Sequence, residues 1–249
     1  MLDSQTRTLA EKVFLPVGMA ASQLPHSLMV GFCGMRGSQY NGELMVVGRA
    51  VNSFWQARYP SEFASLEGAM DFAQAVIGDS NDTVNCPMGW LNQSWAGEVD
   101  YKARRSTYWR AIHAVMENLG LIGASDENWA SKLVWTNLYK LSPQSGGNPS
   151  NYVCDLQLAG CIDLLQLELE HHRPAKVLFL TGMDWAEPFL KGLGFECQAD
   201  SSSSQVEGIG QGNLRNGHRL AYVVASHPQG KPGGHMQWAS DVLSGFAQL

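Results

Sequence analysis

Charged residues are scarce in this chain. They make up 16% of its 249 residues, against 45% for hydrophobic residues. That balance is typical of a globular protein and argues against a disordered one. Long hydrophobic runs are also absent, since no apolar stretch approaches the length of about 20 residues that a membrane span needs. The segment MLDSQTRTLAEKVFLP lacks the basic-then-apolar order of a secretory signal. We therefore expect a cytoplasmic protein with no membrane partner.

Cysteine is also infrequent. The chain has five cysteines, an odd number, and no two of them form a CxxC pair. A disulfide framework and a zinc site both need paired or clustered cysteines, so this spacing disfavours both. The five positions are Cys33, Cys86, Cys154, Cys161 and Cys197.

Positive charge is in short supply, because the net charge is −6. This balance counts mildly against nucleic-acid binding, which favours basic surfaces. One local basic patch stands out, with aromatic residues interleaved. It is either a nucleic-acid contact or an ordinary solvated helix start. The patch comprises Lys102, Arg104, Arg105 and Arg110, together with Tyr101, Tyr108 and Trp109.

Strand and helix patterns alternate along the chain, and no internal repeat is present. Apolar runs predict strands, and apolar residues at helical spacing predict helices. We interpret the whole chain, 1–249, as one α/β domain with a parallel sheet, because parallel strands need crossover connections. The predicted strands are 43–48, 132–137, 176–182 and 220–225, the helices 61–77, 107–119, 153–170, 184–193 and 236–246, and the long loops 78–100 and 198–219. Ser61 is the predicted N-cap of the first helix.

Ligand sites in parallel sheets lie beyond the carboxyl ends of the strands. The segments that follow the four predicted strands are therefore the ones expected to carry function. Three of the four are polar and rich in turn residues, more than connecting loops require. These segments are 48–52, 137–140, 182–185 and 226–231.

The ordered set of strand ends resembles the uracil-DNA glycosylase superfamily, from about residue 43 to the C-terminus. A strand ending in Gly48 resembles the first motif of that family. TNLYKLSP at 136–143 and GNPS at 147–150 resemble the middle segment of its iron–sulfur branch, and ASHP at 225–228 resembles its second motif. The resemblance implies a three-layer α/β/α sandwich around a four-stranded parallel sheet. It also implies a DNA-repair hydrolase that removes uracil or a related base from DNA and releases the free nucleobase. The base must leave the duplex stack to be cut.

The same resemblance assigns roles to two residues. Asn137 matches the asparagine that reads the uracil edge, since a carboxamide can pair with N3–H and O4 together. His227 matches the motif histidine, which stabilises negative charge on the O2 of the departing uracil. The alternatives are an asparagine that satisfies backbone at a strand end and a turn histidine before proline.

The first motif departs from the family pattern. Gly48, Arg49 and Ala50 are expected to wrap the base, and Asn52 is the candidate to position the attacking water. Ala50 stands where the best-known members have an acid, although the iron–sulfur branch also has alanine there. Arg49 either contacts a phosphate or is an ordinary surface charge.

The remaining site assignments each have a simpler alternative. Phe54 or Trp55 stacks on the flipped base or belongs to the core. Ser226, Gln229 and Lys231 grip the flanking phosphates or are ordinary loop residues.

We expect neither cofactor nor metal. The iron–sulfur branch has a cysteine where this chain has Leu141, and an N-terminal cysteine pair where it has only Cys33. Cys161 remains in place, and we interpret it as a small buried hydrophobe. His171 and His172, near a helix C-terminus, are interpreted as structural.

Two further hypotheses stay open at this point. One is a non-catalytic nucleic-acid or nucleobase-binding relative on the same fold. The other is a hydrolase of some other small molecule, which rests on fold class alone.

Overall fold

The computed structural model describes residues 2–52, 56–80, 85–199, 205–230 and 234–249. Its contacts divide the chain into two compact units, each assembled from three segments. The first unit is Met1–Gly34, Gly48–Asp82 and Thr136–His171, and the second is Met35–Val47, Thr83–Trp135 and His172–Leu249. The expectation of a single domain over 1–249 stays a prediction.

The described residues form helices and strands in alternation along most of the chain. The α-helices are α1 (Leu2–Thr8), α2 (Leu15–Met19), α3 (Leu66–Ser80), α4 (Gly89–Ala96), α5 (Thr107–Asn118), α6 (Asn151–His172), α7 (Met183–Leu193) and α8 (Gly234–Phe246). A π-helical turn, Leu9–Phe14, joins the first two, and 3-10 turns span Ala21–Gln23, Pro60–Phe63, Ala103–Arg105 and Trp129–Lys132. The strands are β1 (Met29–Gly31), β2 (Met35–Arg36), β3 (Leu44–Ala50), β4 (Ala57–Arg58), β5 (Val134–Tyr139), β6 (Leu141–Pro143), β7 (Lys176–Phe179), β8 (Val206–Asn213) and β9 (Arg219–Ala225).

The first unit contains a small antiparallel sheet in the order β4-β1-β6. Val30 pairs with Ala57 on one side and with Ser142 on the other. Its core includes three buried phenylalanines whose ring centroids lie 4.5 to 6.0 Å apart, which is the spacing of favourable aromatic pairs. These are Phe14, Phe63 and Phe72.

The larger sheet has the strand order β2-β5-β3-β7-β9-β8. Strands β3, β7 and β9 run parallel, with Val47 opposite Phe179 and Phe179 opposite Val224. Strands β2 and β8 pair antiparallel with β5 and β9. The α/β class is therefore confirmed, and the sheet is mixed. No helix of the described residues is long and apolar enough to cross a membrane.

The predicted loops 78–100 and 198–219 contain regular structure, so those two predictions were wrong. The first contains α4, and the second contains β8. β8 has glycine at three alternate positions, and glycine has low strand propensity. A Cβ on Gly210 would lie 2.5 Å from the Tyr222 hydroxyl, and one on Gly212 would lie 2.5 Å from the Phe195 ring. Close packing against these rings requires glycines. Because glycine has no side chain, the sequence lacks the alternating apolar pattern that would predict a strand here.

Several boundaries differ from the predicted ones, and two of the differences have a local cause. The helix expected from Ser61 begins instead at Leu66, because Pro60–Phe63 forms a 3-10 turn whose N-cap is Tyr59. The strand expected to end at Gly48 continues to Ala50, since Gly48 is not among the glycines with positive φ that would turn the chain.

Candidate functional site

Asn137 lies on β5, a strand on which every residue is buried. Its side chain is only 2% exposed, and its amide nitrogen Nδ2 has no hydrogen-bond partner among the described residues. Leaving a buried donor unpaired costs about 1–3 kcal/mol, so proteins seldom retain one without a use for it. An acceptor brought by a ligand, such as a carbonyl oxygen, would remove that cost.

A buried ion pair fixes the strand that carries Asn137. Lys140 Nζ lies 2.9 Å from both carboxylate oxygens of Glu168 on α6, and both side chains are almost wholly buried. The ammonium also donates to Thr136 Oγ1 at 2.7 Å, and that hydroxyl donates to Glu168 Oε2 at 2.9 Å. The residues one before and three after Asn137 are thus held by the same carboxylate.

Backbone groups complete this network. Gly34 N–H donates to Glu168 Oε1 at 2.9 Å, and Gln157 Oε1 accepts from the backbone N–H groups of Lys140 and Leu141, each at 3.0 Å. A buried charge is tolerated only when it is paired and hydrogen-bonded, and these contacts meet that condition. No pattern in the sequence predicted this network. One sequence feature could have indicated it: the acidic residue Glu168 lies on the same helical face as the apolar residues Cys161 and Leu164–Leu165.

The structure brings the first motif against the middle segment within the first unit. Ser142 Oγ donates to the Val51 carbonyl at 2.5 Å, and Gly147 N–H donates to Asn52 Oδ1 at 3.2 Å. Gly146 has φ of +92°, and a Cβ there would lie 2.7 Å from Asn52 Oδ1. Glycine is therefore required where the loop meets Asn52.

The other first-motif residues differ in environment. Gly48 is buried, while Arg49 and Ala50 are half-buried, and all three continue β3 to its end. Their role in wrapping the base stays a prediction. Phe54 and Trp55 lie outside the described residues, and their stacking role stays a prediction.

His227 follows β9 in the second unit, and its environment fixes its tautomer. Gln229 N–H donates to His227 Nδ1 at 3.3 Å, so in the neutral ring the proton sits on Nε2. The ring stacks on Tyr108 with 5.8 Å between centroids and 22° between planes. Burial raises the pKa of Tyr108, a hydrogen bond from Trp135 Nε1 opposes that effect, and the net shift keeps the phenol neutral. His227 is thus contacted from two sides, and in the neutral ring Nε2 carries the proton.

The three residues predicted to contact phosphates have different surroundings. Ser226 is buried, and its hydroxyl donates to Gln205 Oε1 at 3.3 Å, so it ties the start of β8 to the end of β9. Gln229 is exposed. Lys231 lies outside the described residues. The phosphate roles of all three stay predictions.

The predicted site residues fall in both units. Asn52 and Asn137 belong to the first, and Ser226 and His227 belong to the second. The predicted convergence of the three motifs on one base stays a prediction.

Three of the cysteines are neutral thiols in the protein interior. Burial raises the pKa of Cys33 and Cys161 to about 12 and that of Cys154 to about 11. Each of these thiols donates to a protein oxygen, namely Glu168 Oε1, Gln157 Oε1 and the Pro149 carbonyl. Within the described ranges, no group of three or more His, Cys, Asp or Glu side chains is placed to hold a metal.

Cys86 is expected to be the most reactive thiol. Burial alone would raise its pKa, but hydrogen bonds with Ser38 and Ser131 outweigh burial and lower it. Burial raises the pKa of the exposed Cys197. Because the thiolate is the nucleophile, iodoacetamide at neutral pH should alkylate Cys86 first. Peptide mass mapping over time checks this, and labelling of Cys197 ahead of Cys86 would contradict it.

Comparison with protein-family models gives no match to this chain, and comparison with curated proteins gives none either. Its function is therefore inferred from its own side chains and from the motif resemblance.

Proposed function

We propose that this protein is a DNA glycosylase that hydrolyses the N-glycosidic bond of uracil or a related deaminated base in DNA. The observation that carries the proposal is the buried, unpartnered amide nitrogen of Asn137. On a uracil ring the Asn137 Nδ2 donates to O4, while its Oδ1 accepts from N3–H. Cytosine offers a donor where uracil has O4, so the same amide discriminates between the two bases.

The proposed chemistry breaks the bond between C1′ of the sugar and N1 of the base. Water supplies the oxygen to C1′, the bonding electrons leave with the base, and the proton from water ends on the base. Negative charge gathers on O2 during the departure, and the Nε2–H of His227 is the donor that stabilises it. The tautomer set by Gln229 supports this role.

The expected architecture is a three-layer α/β/α sandwich with a four-stranded parallel core, in which β5 joins the parallel strands β3, β7 and β9. DNA carrying a damaged base is the proposed partner and the free nucleobase is the product, in line with the cytoplasmic location expected from the sequence. A base reaches such a site only after leaving the helix stack.

The second candidate is a non-catalytic nucleobase-binding or nucleic-acid-binding relative. The observation that favours it lies at Asn52, whose Oδ1 already accepts from Gly147 N–H at 3.2 Å. Neither Ala50 nor Asn52 supplies a carboxylate to take a proton from water. In this candidate function, Asn137 still recognises the base, but the protein does not hydrolyse the N-glycosidic bond.

Incubation with oligonucleotides tests the choice between these candidates. Single- and double-stranded substrates carrying uracil, hypoxanthine or xanthine are treated with alkali, which cleaves at abasic sites. The proposal expects strand cleavage with at least one of these bases. Binding to uracil-containing DNA without any cleavage, by folded protein, would leave the second candidate.

A series at Asn52 tests its role in positioning water. Asn52→Asp keeps an acceptor for Gly147 N–H and adds a base, and a positioned general base contributes about 10²–10⁴-fold. We expect Asn52→Asp to raise kcat for excision and Asn52→Ala to lower it. Asn148→Asp adds the same charge at an exposed position of the neighbouring loop and serves as the control. If Asn148→Asp raises kcat equally, or Asn52→Ala leaves it unchanged, Asn52 does not position the water.

A further inference from the structure

The segment Tyr101–Arg110, called the basic segment below, concentrates positive charge on an acidic protein. It carries four basic residues and no acidic one, and the nearest acidic residues along the chain are Asp100 and Glu117. None of the four forms an ion pair within the described part of the chain. Tyr101 is 51% exposed, and the side chains of Lys102, Arg104 and Arg105 are exposed as well. The charge is therefore available to an external anion.

The basic side chains differ in how they are held. The guanidinium of Arg104 lies over the ring of Trp95, 5.5 Å from its centroid. A guanidinium held over a ring by cation–π attraction keeps N–H donors for a bidentate anion such as phosphate. Lys102 Nζ instead donates to the carbonyls of Gly97 and Val99, at 3.2 and 2.7 Å. Arg104 and Arg105 are thus the stronger candidates for contacting phosphate.

The basic segment lies next to His227 within the second unit. Tyr108, which belongs to the segment, stacks on the His227 ring. Burial, and after it the positive charge of Arg110, lowers the pKa of His235 on α8. The segment therefore adjoins the residue that is proposed to stabilise the departing base.

We propose that the basic segment binds the phosphates of the DNA strand beside the extruded base, through Arg104 and Arg105. This inference rests on the proposed function, and it assigns the strand-binding surface to residues outside the three motifs. The exposed ring of Tyr101 lies 6.2 Å from Trp90 and offers a face on which a neighbouring base stacks. Alternation of basic and aromatic residues suits a single strand, because backbone and bases are contacted together.

Salt-dependent binding tests the proposal without requiring turnover. The probe is a fluorescein-labelled single-stranded oligonucleotide without a damaged base, titrated by anisotropy at several NaCl concentrations. Each phosphate contact contributes about 0.7 to the slope of log K against log salt for single strands. Arg104→Gln/Arg105→Gln should therefore reduce the slope by about 1.4 and weaken binding about tenfold or more at low salt. Arg105→Gln alone, which leaves the Trp95 contact intact, should reduce the slope by about 0.7.

Arg215→Gln is the matched control. Arg215 is an exposed arginine in the turn before β9, at the strand end opposite His227. It should leave both slope and affinity unchanged. A wild-type slope in the double variant would overturn the proposal, as would an equal loss of slope with Arg215→Gln.

The uracil excision assay separates this proposal from the proposed function. Loss of salt slope in a protein that excises no base would support the basic segment and reject the glycosylase. Excision by wild type with an unchanged slope in the double variant would support the glycosylase and reject the basic segment.

Discussion

Asn137→Leu is expected to abolish base excision while leaving the protein as stable as before or more stable. Leucine has a similar volume and removes a buried donor that has no partner in the described structure. Removing the unpaired donor removes a cost of about 1–3 kcal/mol from the free energy of folding. In catalysis, the loss of both contacts to the base edge should lower kcat/KM by at least about 10²-fold. Urea denaturation and single-turnover excision measure the two effects.

Asn213→Leu is the control for this substitution. Asn213 ends β8 and is exposed, so the same exchange there should change neither activity nor stability beyond about 0.5 kcal/mol. Opposite shifts of activity and stability at Asn137 would mark it as a residue kept for a ligand. A large loss of stability with Asn137→Leu would instead mean that the amide serves the fold, and the base-reading role would be rejected.

Lys140→Met should lower the free energy of unfolding by about 3–5 kcal/mol, the cost of leaving a buried charge without its partner. Among the described residues, Glu168 keeps only neutral donors in that variant, namely Gly34 N–H, the Thr136 hydroxyl and the Cys33 thiol. The whole stability of a domain is about 5–15 kcal/mol, so part of the population should unfold near physiological temperature. Chemical denaturation followed by tryptophan fluorescence and circular dichroism measures the change.

The double variant Lys140→Met/Glu168→Gln tests whether the cost comes from the unpaired charge. The introduced carboxamide keeps an acceptor for Gly34 N–H but carries no charge, so the double variant should be more stable than Lys140→Met. Lys191→Met, at a side chain 74% exposed and paired with Glu187, should cost less than about 1 kcal/mol. Equal losses in the single and double variants would show that packing, not charge, sets the cost.

Elements with a strong apolar pattern could be predicted from the sequence. Strands β7 and β9 and helix α7 match predictions to within a few residues, because burial imposes period 2 on strands and 3.6 on helices. Strand β8 could not be predicted, since its alternate glycines fit against Tyr222 and Phe195 and leave no side-chain pattern. Helix α4 was missed because its sequence, GWLNQSWA, mixes polar and aromatic residues without a clear apolar face.

Part of the candidate site could also be predicted from the sequence, and part could not. Asn137 and His227 could be named because their segments resemble family motifs at the ends of predicted strands. The contact of Asn52 with Gly147 joins residues 95 apart in sequence, and that of Lys140 with Glu168 joins residues 28 apart. Contacts of this kind depend on tertiary folding, so the local periodicity of the sequence does not predict them.

A crystal structure of the protein with uracil tests the central claim most directly. The account predicts the base against β5, with its O4 about 2.7–3.2 Å from Asn137 Nδ2 and its N3–H directed at Asn137 Oδ1. The same crystals of Asn137→Leu should show no base at that position. Uracil bound away from Asn137, or an Asn137 amide that donates to a protein group while the base is present, would contradict the account.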